Sequence, residues 1–381
     1  MKAAEERDVV RVLLISSQKN WGGGEAWMLS TALGLARRGH HISLVCQPGS
    51  ELAEHALAGG FRPETMRLRG DFDPLAMARL YRFIRRRRIQ MVCGNMSKEI
   101  RLAGLAARLA NVPCIRRRGS DMSYPNRWRH RLEDRCLVRL IIVNSQATRR
   151  TLLRGNPWLP PEKLKLIYNG IPLPPTGGSM DNRDEVLSEF DLQGAEPLLG
   201  VVGLLKERKG HQVLFQALPR ILEEFPRSSL LVVGEGVLKD ELEEMTRRLN
   251  IDRHVRFTGF REDVMRLMGA MDILVLPSRN EGFGYVLAEA MSLCKPVVAS
   301  RISSIPEVVE EGRTGLLVPP DDVAALRDAL FDLIRDPQKA RRMGQAGRRR
   351  VERLFSLERM LDEVEELFGK VIEGDGLQKA L

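Results

Sequence analysis

Two glutamates, Glu281 and Glu289, could each take part in ligand binding. They begin and end the segment EGFGYVLAE, which follows the apolar run DILVLPS. If a helix begins near Gly284, Glu281 precedes it and Glu289 lies about one and a half turns inside it. The carboxylates then share no helix face and do not form a general acid/base pair. Each could accept hydrogen bonds from hydroxyl groups at opposite ends of a long polyhydroxylated ligand. The alternative is that neither residue binds a ligand, with Glu281 in an acidic loop and Glu289 a solvated glutamate of the helix.

Two glycine-containing loops are candidates for binding an anion. The segment WGGGE, with Gly23 and Gly24, follows the first apolar run and opens a helical pattern, so its N–H groups could face a phosphate. Lys209 lies in GLLKERKG, after an apolar run in the second half, and could neutralise a departing diphosphate. The alternatives are a tight turn with a helix cap, and a solvated lysine. Neither segment is GxGxxG, so a nicotinamide site is poorly supported.

The elements that must position these residues alternate between short apolar runs and amphipathic stretches. This alternation predicts parallel, doubly wound α/β sheets. The predicted strands are Val9–Ser16, His41–Gln47, Gln90–Gly94, Pro113–Arg116, Leu140–Asn144, Leu164–Tyr168, Pro197–Gly203, Ser229–Gly234, Val255–Thr258, Asp272–Pro277, Pro296–Ser300 and Gly315–Val318. Clear helical patterns are Glu25–Arg38, Leu75–Arg87, Ile100–Asn111, His211–Phe225 and Lys239–Asn250.

The Pro- and Gly-rich segment Ile171–Asn182 predicts a connection between two such domains. We expect a first domain over residues 1–175, a second over 176–355, and a C-terminal helix over 356–381 that packs back toward the first. Because open α/β sheets bind ligands beyond the carboxyl ends of their strands, a cleft between the domains is the expected site for two substrates.

Charge divides unevenly along the 381 residues. Residues 1–180 hold 31 Lys and Arg against 14 Asp and Glu, whereas the remainder holds 29 against 36. The first half therefore has a net charge of +17, which predicts an anionic partner. The composition, 43% hydrophobic and 29% charged, excludes a wholly disordered chain. No secretory signal, apolar run of membrane-spanning length or CxxC pattern occurs, so we expect a reduced, cytoplasmic chain without a cysteine metal site.

Taken together, the motifs resemble the retaining nucleotide-sugar glycosyltransferases of family 4. The resemblance runs from about Val10 to Ser356 and is densest between Val201 and Pro320. The segments that carry it are GGGEAWMLSTALGLARRGH, LIYNGI, GVVGLLKERKG, LLVVGEG, VRFTGF, DILVLPSRNEGFGYVLAEAM, KPVVAS and RTGLLVPPDD. It implies the GT-B architecture, in which two Rossmann-like domains face a cleft.

The resemblance also implies a hexosyltransferase reaction that retains anomeric configuration and needs neither a metal nor a cofactor. Fixed cations and helix termini would stabilise the departing diphosphate, whose phosphate would take the acceptor proton. Glu281 would contact the donor sugar, Lys209 and the glycines the diphosphate, and Glu289 the ribose. The residues implied are Glu281, Lys209 and Asp121 for catalysis; Gly23, Gly24, Arg208, Glu235, Gly282, Phe283, Gly284 and Glu289 for the donor; and Asn95 and Arg118 for the acceptor.

The chain departs from the family pattern in two places. Leu204 stands where an arginine is common beside the diphosphate, and Arg208 and Lys206 are the candidates to compensate. Histidines that many members carry in the first domain are absent from the segments CGN, residues 93–95, and RRRGSD, residues 116–121. Asn95, Arg118 and Asp121 are therefore acceptor-side candidates by position alone.

Basic residues in the first half surround aromatic ones. Arginines at positions 85–88, 116–118, 127, 129, 131 and 135 lie near Tyr124, Pro125 and Trp128. Aromatic rings among cations are typical of a membrane–water interface. One hypothesis is that the first domain rests on an anionic cytoplasmic leaflet and takes a lipid-linked or lipopolysaccharide-core acceptor. The alternative is a solvated arginine-rich face.

The sequence is also compatible with other functions. A nucleic-acid reader would suit the basic charge, but no helix-turn-helix, zinc or RNA-binding signature occurs, so we expect none. A sugar-nucleotide epimerase or phosphorylase could use the same fold. A catalytically impaired member acting as a binding subunit would be consistent with Leu204.

Overall fold

The computed structural model describes residues 9–124, 128–175 and 183–374. The chain divides into two compact units, unit 1 (Met1–Gly170 with Leu357–Leu381) and unit 2 (Ile171–Ser356). Pro125, Arg127 and the end of the expected connection, residues 176–182, lie outside the described residues.

Unit 1 is built on a parallel sheet of seven strands in the order β3-β2-β1-β4-β5-β6-β7. The central strand β1 has Leu14 level with Leu44 on one side and with Cys93 on the other. All three side chains are fully buried, as expected for a sheet covered on both faces. The strands are β1 (Arg11–Ile15), β2 (His41–Cys46), β3 (Glu64–Thr65), β4 (Met91–Gly94), β5 (Cys114–Arg118), β6 (Leu140–Val143) and β7 (Leu164–Leu166). The short, exposed edge strand β3 was not predicted.

Helices cover both faces of this sheet. They are α1 (Gly23–Arg37), α2 (Glu51–Ala58), α3 (Pro74–Arg86), α4 (Ser97–Glu99), α5 (Leu105–Leu109), α6 (Trp128–Cys136), α7 (Gln146–Gly155) and α16 (Leu357–Glu373), with a π-helical segment Ile100–Gly104 before α5 and a 3-10 turn Pro161–Lys163. The last helix, α16, packs on α1 at Gly34, where a methyl group would lie 2.3 Å from Leu361. Arg38 joins the two helices through carboxylates of α16 at 2.6–2.8 Å.

Unit 2 contains a parallel sheet of six strands in the order β10-β9-β8-β11-β12-β13. The strands are β8 (Leu198–Val202), β9 (Ser229–Val233), β10 (Val255–Gly259), β11 (Ile273–Leu276), β12 (Val297–Ser300) and β13 (Gly315–Val318). The helices are α8 (Arg183–Glu189), α9 (His211–Glu224), α10 (Lys239–Arg248), α11 (Val264–Ala270), α12 (Tyr285–Ser292), α13 (Ile305–Val308), α14 (Val323–Arg335) and α15 (Pro337–Leu354), with 3-10 turns Glu207–Lys209 and Asp252–His254. The strand and helix positions of both units match the predicted α/β class, with most bounds shifted by one or two residues.

Helix α6 in unit 1 has an unusual buried face. Its only buried residues are Glu133 and Asp134. Both carboxylates bind Arg116 of β5, at 2.6 Å from Glu133 and 2.7 Å from Asp134, and the Arg116 side chain is 1% exposed. Arg101 also pairs with Glu133. Ion pairs therefore attach this helix to the sheet where a typical helix would use apolar side chains.

This geometry corrects part of the hypothesis about the basic aromatic surface. Arg116, Arg117 and Tyr124 are buried, not exposed. The guanidinium of Arg116 lies 5.1 Å from the centre of the Tyr124 ring and that of Arg118 lies 4.8 Å from it. A run of consecutive arginines in a sequence suggests an exposed position. Arg116 is buried because it pairs with the two carboxylates of α6.

We expect Glu133→Ala to destabilise the protein by about 3–5 kcal/mol, because it removes one of the two carboxylates that compensate the buried charge of Arg116 and also a partner of Arg101. Urea unfolding followed by circular dichroism measures the change. Glu223→Ala, which breaks an exposed pair with Arg220, is the control and should cost about 1 kcal/mol or less. An equal, small loss in both variants would contradict the structural role of the buried pair.

Candidate active site

The strand order of unit 2 reverses between β8 and β11, the position at which open α/β sheets bind ligands. The loop after β8 contains Lys209, and the loop after β11 contains Glu281. The Nζ atom of Lys209 lies 2.7 Å from Oε2 of Glu281, and both side chains are largely buried. The structure thus joins two residues that are 72 positions apart in the sequence.

Gly210 fixes the course of the chain between Lys209 and α9. Its φ of +67° is in the left-handed region, and a methyl group there would lie 2.0 Å from the carbonyl oxygen of Pro277. Only glycine fits so close to the end of β11. The close approach of the two loops is what brings Lys209 to Glu281.

The loop that carries Glu281 ends at Gly284, the residue before α12, with φ of +85°. Glu281 therefore lies in the loop and Glu289 inside the helix, in the arrangement predicted from the spacing. Phe283 points its ring into the interior, with ring centres 5.5 Å from Tyr285 and 5.6 Å from Phe355. The Ser304 hydroxyl donates to the carbonyl oxygen of Gly282 at 3.0 Å, which holds the backbone of the loop.

Glu289 lies in α12, and its side chain is half-buried. Burial raises the pKa of its carboxyl group to about 7. Across the part of unit 2 that the structure describes, no side chain forms an ion pair or hydrogen bond with this carboxylate. A carboxyl group that has a raised pKa and lacks a side-chain partner is typical of a ligand-binding position.

The loops after β8, β9 and β10 are joined by backbone hydrogen bonds. Leu205 N donates to Glu235 O at 2.9 Å, and Gly234 N donates to Gly259 O at 2.9 Å. Glu235, Leu204 and Arg208 are exposed there. The structure therefore places Leu204 just beyond the carboxyl end of the central strand β8. Arg208 is exposed in the 3-10 turn that precedes α9.

In unit 1 the strand order reverses between β1 and β4, where Glu99 joins the two loops. Its fully buried carboxylate accepts from Ser17 N and Asn95 N, both at 2.6 Å, and from Met96 N at 2.9 Å. Burial raises its pKa to about 7, although these backbone donors oppose the shift. Sequence reasoning missed this residue. The available signal was an acidic residue next to the apolar segment that begins at Ile100.

Gly24 and Asn95 lie against each other in this unit. A methyl group at Gly24 would lie 2.8 Å from Nδ2 of Asn95 and 3.8 Å from Nη1 of Arg117. Gly23 and Gly24 lie in the first turn of α1, and the N-cap residue before it, Gly22, offers no side-chain cap. Arg117, which the sequence did not single out by itself, donates to Oδ1 of Asn169 at 2.8 Å.

Arg118 and Asp121 follow in the same unit, at the end of β5 and in the loop after it. Arg118 donates to the carbonyl oxygen of Met122 at 2.8 Å, and burial lowers its pKa. Asp121 is half-buried, and its Oδ1 has no hydrogen-bond partner. The structure thus places Asn95, Arg118 and Asp121 after neighbouring strands, whereas their predicted roles stay predictions.

Two family profiles cover most of the chain. The family described as "Glycosyltransferase Family 4" matches residues 21–173, and "Glycosyl transferases group 1" matches residues 182–350. The chain belongs to the family 4 type of glycosyltransferase. The resemblance drawn from the motifs is confirmed.

Curated relatives are of moderate similarity to this glycosyltransferase. N-acetyl-alpha-D-glucosaminyl L-malate synthase of Bacillus anthracis is 29% identical over 259 residues, which are 68% of this chain and 65% of that protein. GDP-mannose-dependent alpha-(1-6)-phosphatidylinositol monomannoside mannosyltransferase of Mycolicibacterium smegmatis is 29% identical over 347 residues, 86% of this chain and 89% of that protein. The chain thus spans about two thirds of one relative and most of the other.

Among solved structures, Anabaena Alr3699/HepE in complex with UDP and glucose has a TM-score of 0.83 to this glycosyltransferase. It is 22% identical, and the match covers 94% of this chain and 99% of that one. The likeness confirms the predicted fold, two Rossmann-like domains of the GT-B type.

Proposed function

We propose that the protein is a retaining, metal-independent glycosyltransferase that moves a sugar from a nucleotide-diphosphate sugar to a lipid-linked or cell-envelope glycan, such as a lipopolysaccharide core. The observation that carries the proposal is the Lys209–Glu281 pair at the point where the strand order of unit 2 reverses. It combines a cation suited to a diphosphate with a carboxylate suited to sugar hydroxyls.

In this proposal unit 2 binds the donor. Lys209 and the N-terminus of α9 neutralise the diphosphate as it leaves, so fixed protein charge replaces a metal ion. Glu281 accepts from the sugar hydroxyls beside the backbone of Gly282–Gly284, and Glu289 accepts from the ribose. HepE is described with UDP and glucose, and the mannosyltransferase relative is described as GDP-mannose-dependent, which supports this donor class.

The nucleobase would meet an apolar edge in the same unit. Among the described residues of unit 2, the large apolar side chains that are exposed are Leu204, Val237 and Phe260, and they lie on the loops after β8, β9 and β10. Flat aromatic bases suit such a surface. Glu235 lies two residues before Val237 in the loop after β9, and its side chain could accept from the base or ribose. Arg208 would supply the charge that Leu204 lacks.

Unit 1 would bind the acceptor, with Gly23 and Gly24 reaching the diphosphate and Asn95, Arg118 and Asp121 near the acceptor. In the retaining mechanism that we propose, the bond from the sugar to the diphosphate breaks as the acceptor hydroxyl attacks on the same face. The leaving phosphate oxygen takes the hydroxyl proton, so no protein carboxylate has to act as the base.

The acceptor is proposed to be at a membrane because of an exposed apolar surface on unit 1. We call this the α6 surface. Its exposed members are Phe72, Leu75, Met96, Met122, Trp128 and Leu132. Contacts between their segments hold it together: Arg101 pairs with Asp71 at 2.7 Å, and Ser97 Oγ lies 3.4 Å from Nδ1 of His130 in α6. Exposed apolar side chains on segments that contact one another are candidates for an interaction site.

The charges around the α6 surface favour an anionic lipid as its partner. Both acids of α6 face inward to Arg116, while Arg129, Arg131 and Arg135 of the same helix are exposed or half-buried. The outward face is therefore apolar and positive, which fits anionic headgroups at a cytoplasmic leaflet. The mannosyltransferase relative is named for a phosphatidylinositol acceptor. No described helix is long and apolar enough to cross a membrane.

Lys209→Ala and Glu281→Ala should each lower transfer at least 100-fold, because each removes a group that meets developing charge or the reacting sugar. Nucleotide release from UDP-glucose and GDP-mannose, with an acceptor extract of cell envelope, measures the rate, and circular dichroism checks the fold. Lys370→Ala, at an exposed lysine of α16 with no assigned role in the site, is the control and should stay near wild type. Near-normal rates in either site variant would refute the assigned roles. Interconversion of donors without an acceptor would indicate an epimerase instead.

Nucleotide affinity should fall as the pH drops below about 7, the pKa to which burial raises Glu289, because protonation removes the carboxylate that accepts from the ribose. The loss should approach about tenfold per pH unit if only the charged form binds. Calorimetric titration with UDP and GDP from pH 5.5 to 8.5 measures it. Glu289→Gln is the control, since the nucleotide phosphate also titrates near pH 6. The same pH profile in both proteins would exclude a role for Glu289.

Flotation with liposomes should recover the protein with anionic vesicles of phosphatidylglycerol and much less with phosphatidylcholine. Trp128→Ser combined with Leu132→Ser should reduce recovery several-fold, because both apolar side chains lie on the α6 surface. Leu57→Ser in α2, an equally exposed leucine away from this surface, is the matched control. Equal recovery with neutral and anionic vesicles would contradict membrane attachment.

A further inference from the structure

Buried polar atoms without partners gather at one edge of the unit 1 sheet. Both amide atoms of Asn95 lack a hydrogen bond, as does Nδ2 of Asn169, whose side chain is almost completely buried. Asn95 follows β4, and Asn169 lies in the loop that follows β7. A buried donor or acceptor left unpaired costs about 1–3 kcal/mol, so this arrangement needs an explanation.

Arg117 hydrogen-bonds to Asn169 and lies on the side of Gly24 that Asn95 also faces. Its Nη2 donates to Oδ1 of Asn169 at 2.8 Å, which leaves the amide nitrogen of Asn169 as its unpaired end. Its Nη1 lies 3.8 Å from the point that a methyl group on Gly24 would occupy, and Nδ2 of Asn95 lies 2.8 Å from that same point. The side chains of Asn95 and Arg117 therefore both approach the backbone of α1 at Gly24. Larger residues than glycine at position 24 would fill this point.

The chemistry of the cluster favours hydroxyl groups over an anion. Asn95 presents an unpaired acceptor beside an unpaired donor, and a phosphate or carboxylate would satisfy only the donor. A hydroxyl both donates and accepts, so two neighbouring hydroxyls could satisfy the whole amide. The charge of Arg117 is already near the carboxylate of Glu25 and over the face of Trp27, at 5.3 Å from its ring centre.

We propose that Asn95 and Asn169, the latter oriented by Arg117, form a subsite that binds a vicinal diol of the acceptor, on a sugar or cyclitol ring. This inference rests on the proposed transferase function and specifies its acceptor. A hydroxyl held beside Gly24 lies next to the helix turn assigned to the diphosphate.

The experiment compares acceptor selectivity in the full chain. Donor turnover from UDP-glucose and GDP-mannose is measured with methyl α-glucoside, methyl α-mannoside and myo-inositol, which carry vicinal diols, and with L-malate, which carries none. Wild type should be stimulated by at least one diol probe. Asn95→Leu, of similar volume but without the amide, should raise the KM for that probe at least tenfold, with a smaller change in the Kd for UDP or GDP.

Asn156→Leu is the matched control. Asn156 is a fully buried asparagine at the end of α7 that also has one unpaired amide atom, so its loss should affect stability without changing acceptor KM. An unchanged KM in Asn95→Leu, or stimulation of wild type by L-malate alone, would overturn the subsite. Failure of wild type to bind either nucleotide or to consume either donor would instead overturn the proposed function.

Discussion

The ion pair between Lys209 and Glu281 is the interaction on which the proposed chemistry depends. The two residues belong to loops that leave different strands, β8 and β11, at the point where the strand order reverses. Their separation is set by Gly210, whose left-handed backbone allows contact with Pro277. In the absence of donor each charge satisfies the other, so neither is buried alone. In the proposed function, a ligand with a diphosphate and hydroxyl groups would replace that partner at both ends.

Much of this could be predicted from the sequence because the signals were local. The strands were visible as short apolar runs, and the eight-residue spacing of Glu281 and Glu289 placed one in a loop and one in a helix. Positions that depend on long-range packing could not be predicted. Glu99 binds backbone groups of two loops, one of them 82 residues away, and its position beside an apolar segment does not identify these partners. Asn169 belongs to the segment LIYNGI, but its contact with Arg117 spans 52 residues and cannot be predicted from that segment.

Both units place their unusual polar groups at the carboxyl edge of the sheet, beside the reversal of strand order, but they use different devices. In unit 2 a cation meets a carboxylate, and Glu289 retains unused acceptor capacity. In unit 1 Glu99 is saturated with backbone donors and fixes the loops, which leaves Asn95 positioned by its backbone with its amide unpaired. A rigid frame with unpaired amides suits recognition of neutral hydroxyls, and a charged pair suits a diphosphate. The division of labour proposed for the two units follows from this difference.

Net charge alone could not show which basic residues face outward. Of the arginines counted in the first half, Arg116 and Arg117 are buried and serve the interior, so the positive surface is smaller than the composition implies. The same burial has a second effect. Because Arg116 draws Glu133 and Asp134 inward, α6 presents its apolar and basic side chains outward, and Trp128 is 71% exposed. A helix attached by apolar packing would have hidden these residues. The buried ion pairs are therefore a precondition for the α6 surface, and the interior electrostatics of unit 1 determine what its exterior can bind.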